Sequence, residues 1–167
     1  LSGMDLYGIN LRGANLQNTV FDYATLDYAD LRYIVAFNAT FIYSGMNNTF
    51  LQDSEFNRYS TPECGGYCGD ANLANAHLKY ADLTDTNLRY ANLTDADLRN
   101  SDLTNANLEY ADLTDADLDH ANMANTMLHY ANLKNADLYS AELSNANFYE
   151  ADLTDARLAY ADLPNAY

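Results

Sequence analysis

The chain has 167 residues and sets 24 acids against 8 bases, a formal net charge of −16. A surface so acidic disfavours nucleic acid and anionic membrane as partners, and the length fits one domain, 1–167. No apolar run approaches the roughly eighteen residues of a membrane span.

The chain begins Leu1-Ser2 without Met, which leaves a removed leader and a trimmed start both open. From Met4 to Arg58 a large apolar residue recurs at every fifth position, in about eleven irregular units. The series runs Leu6, Leu11, Leu16, Phe21, Leu26 and Leu31, then Ala36, Phe41, Met46, Leu51 and Phe56. Two positions before each stands a second inward candidate, usually small. At Ile34 and Ala36 large and small exchange places, which keeps the volume of that layer.

The frame then breaks. Tyr59 to Asp70 reads YSTPECGGYCGD, and Pro62, Gly65, Gly66 and Gly69 mark a loop insertion of about twelve residues. If no unit is lost there, the flanking units occupy consecutive sides. The loop holds both cysteines, Cys64 and Cys68. A disulfide is the favoured reading over free thiols, and it would restrict the unfolded loop by roughly 2 kcal/mol. Zinc is the third option, but the C-x3-C spacing with only His77 nearby supplies too few ligands. A disulfide would imply an oxidising compartment.

From Ala71 to Asn165 the unit becomes regular: Ala-(Asp/Asn)-Leu-x-x, about nineteen times, with Met123 and Phe148 the only departures from Leu. Taking Leu as position i, Ala is i−2, Asp/Asn is i−1, and the variable pair is i+1 and i+2. A helix would scatter successive Leu residues round its axis. A straight strand would send alternate units to opposite faces, because five is odd. The pattern holds its aliphatic residues inward only if the chain turns a corner in every unit. Four corners close a coil of twenty residues, paired to the next at roughly 4.8 Å.

Positions i+2 taken every twenty residues support that closure. Tyr90, Tyr110 and Tyr130 fall in one file; Asp85, Asn105, Asn125, Asn145 and Asn165 fall in another. Burying four Leu side chains per coil, at about 2 kcal/mol each, makes a shaft stable without any cofactor. Pro164 stops further pairing, and the last coil is expected to present an open apolar cross-section.

The A(D/N)Lxx run, Ala71-Asn72-Leu73 through Ala161-Asp162-Leu163, resembles the pentapeptide-repeat family. The resemblance implies an all-β fold: a right-handed quadrilateral parallel β-helix, a solenoid with four pentapeptides per coil, here with one loop insertion. Some relatives, the quinolone-resistance proteins, resemble B-DNA in width and charge and bind DNA gyrase. About seven and a half coils give this chain a rod of roughly 36 Å, near one turn of duplex. Those relatives dimerise through a C-terminal helix, which has no counterpart after Pro164.

Two outward files are the candidate partner surface: Tyr90, Tyr110 and Tyr130, and the acidic column Asp97, Asp117 and Asp137. Stacked carboxylates keep the surface solvated, bind cations or mimic phosphates; outward Tyr files shield a corner or dock a partner. His77, His120 and His129 do not converge, and no phosphate loop, metal-ligand cluster or nucleophile–base pair is present. The sequence therefore predicts no enzyme and no cofactor. It predicts a non-catalytic structural or protein-binding rod of unknown partner, monomeric or dimerised end to end, in the periplasm or thylakoid lumen. The alternative is a DNA mimic that binds DNA gyrase or topoisomerase.

Overall fold

The structure, a computed structural model, describes residues 1–36, 39, 44–46, 49–51 and 73–167. Its backbone is a ladder of isolated parallel bridges. Nearly all join an i−1 residue to the i−1 residue twenty positions on, as in Asp97↔Asp117 and Asp117↔Asp137. Twenty residues per coil and five per unit give four walls, named here by consecutive Leu residues: the Leu98, Leu103, Leu108 and Leu113 walls. Walls two units apart lie on opposite sides of the shaft.

The five residues of a unit place every backbone N–H, as a buried chain must. In the Leu113 unit, Leu113 N–H donates to Asn132 C=O in the next coil (2.7 Å), and Asp112 N–H donates to Ala91 C=O in the previous one (2.9 Å). Ala111 N–H closes the preceding turn on Leu108 C=O, and Asp115 N–H reaches Lys134 C=O. Thr114 N–H donates to the side-chain Oδ1 of Asp112 at 3.0 Å. Asp or Asn predominates at position i−1 because its side-chain oxygen accepts this bond, although units with Met127 or Arg157 there keep the same corner.

The turn bond from the i−2 N–H back to the i C=O spans i+1 and i+2. In every described unit, i+2 has a positive φ, the mark of a type II turn. Gly3, Gly8 and Gly13 take these corners in the first coil at no steric cost. Later corners use Asn, Asp, Ser, His, Glu and Tyr.

The Leu and Ala side chains fill the axis. Leu93, Leu113 and Leu133 lie in file down one wall, each fully buried. Thr126 at an i−2 position donates its hydroxyl to Leu103 C=O, whereas Thr86 Oγ1 is buried without a hydrogen-bond partner among the described residues. Toward the C-terminal end burial fades: Leu153 and Leu158 are half-buried and Leu163 is 43% exposed.

One bridge breaks the rule of twenty. Phe50 pairs with His77, a step of 27 residues, and Leu51 N–H donates to His77 C=O at 2.8 Å. Had the units on either side of the break taken consecutive sides, Phe50 would face Asp82. The observed register is one unit short of that, so the surplus over a coil is seven residues and not twelve. The expected loop 59–70 and the Cys64–Cys68 disulfide lie outside the described residues.

Candidate functional site

With the core and turns accounted for, the outward chemistry differs from wall to wall. Counting each wall with the corner that follows it, the Leu98 wall holds five acids and five bases among the described residues. The bases are Arg12, Arg32, Lys79, Arg99 and Arg157. Among the described residues the Leu103 wall holds five acids and no base, and the opposite Leu113 wall seven acids against Lys134 alone. The Leu108 wall has three acids, Arg89 and the Tyr file.

The Tyr file is a true stack. Tyr90 and Tyr110 lie 5.0 Å apart between centroids with 13° between planes, and Tyr110 and Tyr130 lie 4.9 Å apart with 8°. Tyr149 caps the stack edge-on to Tyr130 at 5.9 Å. Each stacked ring is 42–43% exposed. The ring faces are occupied by one another, so the edges and hydroxyls are what solvent meets.

All three sit at φ of 58° to 60°, where a bulky side chain is an outlier. A left-handed residue other than Gly costs about 1–2 kcal/mol, and an aromatic pair returns about 0.5–1.5 kcal/mol. Two stacked contacts therefore offset only part of three strained residues. Asn would hold the same corner more cheaply, as it does along Asn105, Asn125 and Asn145.

Beside the stack runs a file that the sequence reading missed: Arg89, Glu109, His129 and Tyr149 at i+1. Arg89 lies over Tyr90 and Tyr110, at 5.1 and 5.7 Å. Its Nε is 3.0 Å from Glu109 Oε2, and His129 Nδ1 is 3.4 Å from Glu109 Oε1. Neither contact has hydrogen-bond geometry, so both are ion-pair contacts, that of His129 when it is protonated. Glu109, Tyr110, His129, Tyr130 and Tyr149 line a shallow, open hollow. The twenty-residue step that exposes the Tyr file, applied to i+1, would have found this charge ladder. The charge of Glu150 raises the Tyr130 phenol, and a hydrogen bond with Glu150 raises that of Tyr149, which keeps both protonated.

The column Asp97, Asp117 and Asp137 stands elsewhere, on the Leu98 wall, so the two candidate files do not form one surface. Each of these carboxylates accepts the N–H of its own turn, from Arg99, Asp119 and Tyr139. Arg99 also grips Asp97 through two hydrogen bonds of 2.7 Å, and Arg157 binds Asp137 at 2.9 Å. Burial pushes Asp97 up, but the hydrogen bonds and charge of Arg99 hold it below the ordinary value. Among the described residues no group of three or more His, Cys, Asp or Glu could hold a metal ion, and no helix is long and apolar enough to cross a membrane.

The family model for pentapeptide repeats matches eight copies, over residues 1–32, 67–105, 106–145 and 131–167. Among solved structures, the chain is similar to HetL of the cyanobacterium Nostoc sp. strain PCC 7120, a pentapeptide repeat protein involved in heterocyst differentiation regulation. Identity is 26% over 95% of this chain and 89% of that one, with a TM-score of 0.32. It is also similar to full-length QnrB1, a plasmid-mediated fluoroquinolone resistance protein, at 16% identity over 99% and 89%, TM-score 0.48. A pentapeptide repeat protein of the Arabidopsis thaliana thylakoid lumen is 23% identical over 81% and 69%, TM-score 0.23. No curated protein matches.

Proposed function

The chain belongs to the pentapeptide-repeat family, and on that premise we propose that it is a non-catalytic, protein-binding rod whose partner docks along the Tyr90–Tyr110–Tyr130 corner. One observation carries the reading: bulky rings occupy a strained corner that Asn holds more cheaply one wall away. Stability does not select Tyr there, so outward chemistry does. Tyr and Arg dominate the buried centres of protein interfaces, and this corner offers ring edges, hydroxyls and Arg89 on a rigid shaft. The Asp97 column is not part of the proposed surface, since its carboxylates are engaged by turns and arginines.

The test is a triple replacement, Tyr90→Asn with Tyr110→Asn and Tyr130→Asn, compared by cross-linking and co-purification from the source extract. A folded triple variant is expected to lose a partner that Asn105→Ala retains; an unchanged partner set would overturn the proposal.

The second reading, a DNA mimic that binds gyrase or topoisomerase, is favoured by a different observation: twelve acids and one base among the described residues of the opposed Leu103 and Leu113 walls. A supercoiling assay with no response to the protein removes it. We place the rod in an oxidising compartment, periplasm or thylakoid lumen, on the strength of Cys64 and Cys68 alone. Mass spectrometry that found both thiols free would withdraw that placement.

A further inference from the structure

Two copies of a chain with net charge −16 repel on almost any approach. The exception is the Leu98 wall, whose five acids and five bases among the described residues cancel. We infer that this wall is a self-association surface, pairing with the same wall of a second copy that runs antiparallel to it.

Three features support the pairing. The first is polarity along the axis. From the first coil to Asn100 the wall carries four bases and two acids among the described residues; beyond Asn100 it carries three acids and one base. An antiparallel copy sets each excess against its opposite. A parallel copy would set like against like.

The second is apolar cover. Tyr33, Phe50, Tyr80 and Tyr160 on this wall and its corner are 37% to 80% exposed. The Leu103 wall, which has no base, shows no exposed aromatic ring among the described residues. Exposed rings also stand on the Leu113 wall, at Tyr7 and Tyr28, and along the Tyr file of the Leu108 wall, but there beside a net negative charge among the described residues.

The third is register. Both copies repeat at the same coil spacing, so antiparallel walls can match in steps of one coil. A two-fold axis through the Asp97–Arg99 coil sets the Lys79 coil against that of Asp117 and Asp119, and the Phe50 coil against that of Tyr139. Such an axis makes each contact twice. Lys79 lies over the Tyr80 ring at 4.9 Å and has no carboxylate within ion-pair reach among the described residues. Arg12 shares that condition over the Tyr33 ring, but in this register Lys79 is the one whose coil faces Asp119 of a second copy.

Sedimentation equilibrium of the chain at about 0.15 M and at about 1 M salt tests the inference. A dimer is expected at about 0.15 M, where a Debye length of about 8 Å screens the net repulsion between copies more than charges in contact, and it should weaken at about 1 M, where contact pairs are screened as well. Lys79→Glu or Asp119→Lys should each raise the dimer dissociation constant roughly tenfold, two reversed contacts per dimer. The double variant K79E/D119K should restore the association, and Asp102→Asn on the Leu103 wall should not weaken it. Circular dichroism of each variant separates lost pairing from lost fold. A monomer at about 0.15 M salt, or a double variant that associates no better than the single ones, would overturn the inference.

Discussion

Two corners of the shaft meet the same backbone demand with different side chains. Asp85, Asn105, Asn125 and Asn145 hold φ of 56° to 59°, and Tyr90, Tyr110 and Tyr130 hold 58° to 60°. At the first corner Asn105 Nδ2 donates to Asp85 Oδ1 (2.9 Å) and Asn145 Nδ2 to Asn125 Oδ1 (3.2 Å), so an amide ladder ties the coils. At the second the tie is a ring stack. The difference teaches that the coil dictates conformation at i+2 but leaves the chemistry of the corner open. A residue costlier than Asn is then a statement about what lies outside.

The largest test asks whether both corners rest on the same core. Leu108→Ala and Leu103→Ala, each removing a fully buried side chain, should cost about 2–5 kcal/mol and agree within about 1 kcal/mol in urea unfolding. A large gap between them would make the corners unequal for reasons below the surface. Next, Tyr110→Ala should lose about 1–2 kcal/mol, because two stacked contacts go while a β-carbon stays in the left-handed region. Tyr110→Asn should stay within about 1 kcal/mol of the parent, since relief of strain offsets the lost contacts. If Tyr110→Asn were as damaging as Tyr110→Ala, stacking would suffice to explain the Tyr file.

A smaller gain tests the uniformity of the interior beneath the Tyr corner. Thr86→Ala removes a buried hydroxyl without a partner among the described residues and should raise stability by about 1 kcal/mol in thermal unfolding. The smallest effect belongs to the opposite side of the shaft. Asp97 is held below its ordinary value of 3.8, so its stabilising share is present above that value and fades as pH falls through the lowered one. Melting temperatures of the parent and Asp97→Asn should therefore differ near neutral pH and converge in acid, below about pH 4.

The wall structure was legible because the Leu of every unit repeats with a period that only a cornered coil can satisfy. Leu93, Leu113 and Leu133 in file are the direct consequence. The left-handed corner was half legible: Gly, Asn and Asp recur at i+2, but Tyr90 or Tyr80 in that position runs against the usual steric rule. The Asp97 column reads as charge in sequence, yet Asp and Asn alternate freely at i−1, and what they share is an oxygen acceptor. That shared atom serves the turn, as Thr84 N–H to Asp82 and Arg89 N–H to Asn87 illustrate. The 27-residue step was beyond reach, because Tyr59 to Asp70 carries no unit against which to count sides.

That step also says something about how such a shaft can change. Phe50 and His77 stack at 5.1 Å with 7° between ring planes, as tightly as if no surplus separated them. The ladder checks only that the chain comes back in phase, not how far it has travelled. A chain that returned one side out of phase would turn every later wall by a quarter against the first coils, and the Tyr file would then face another way.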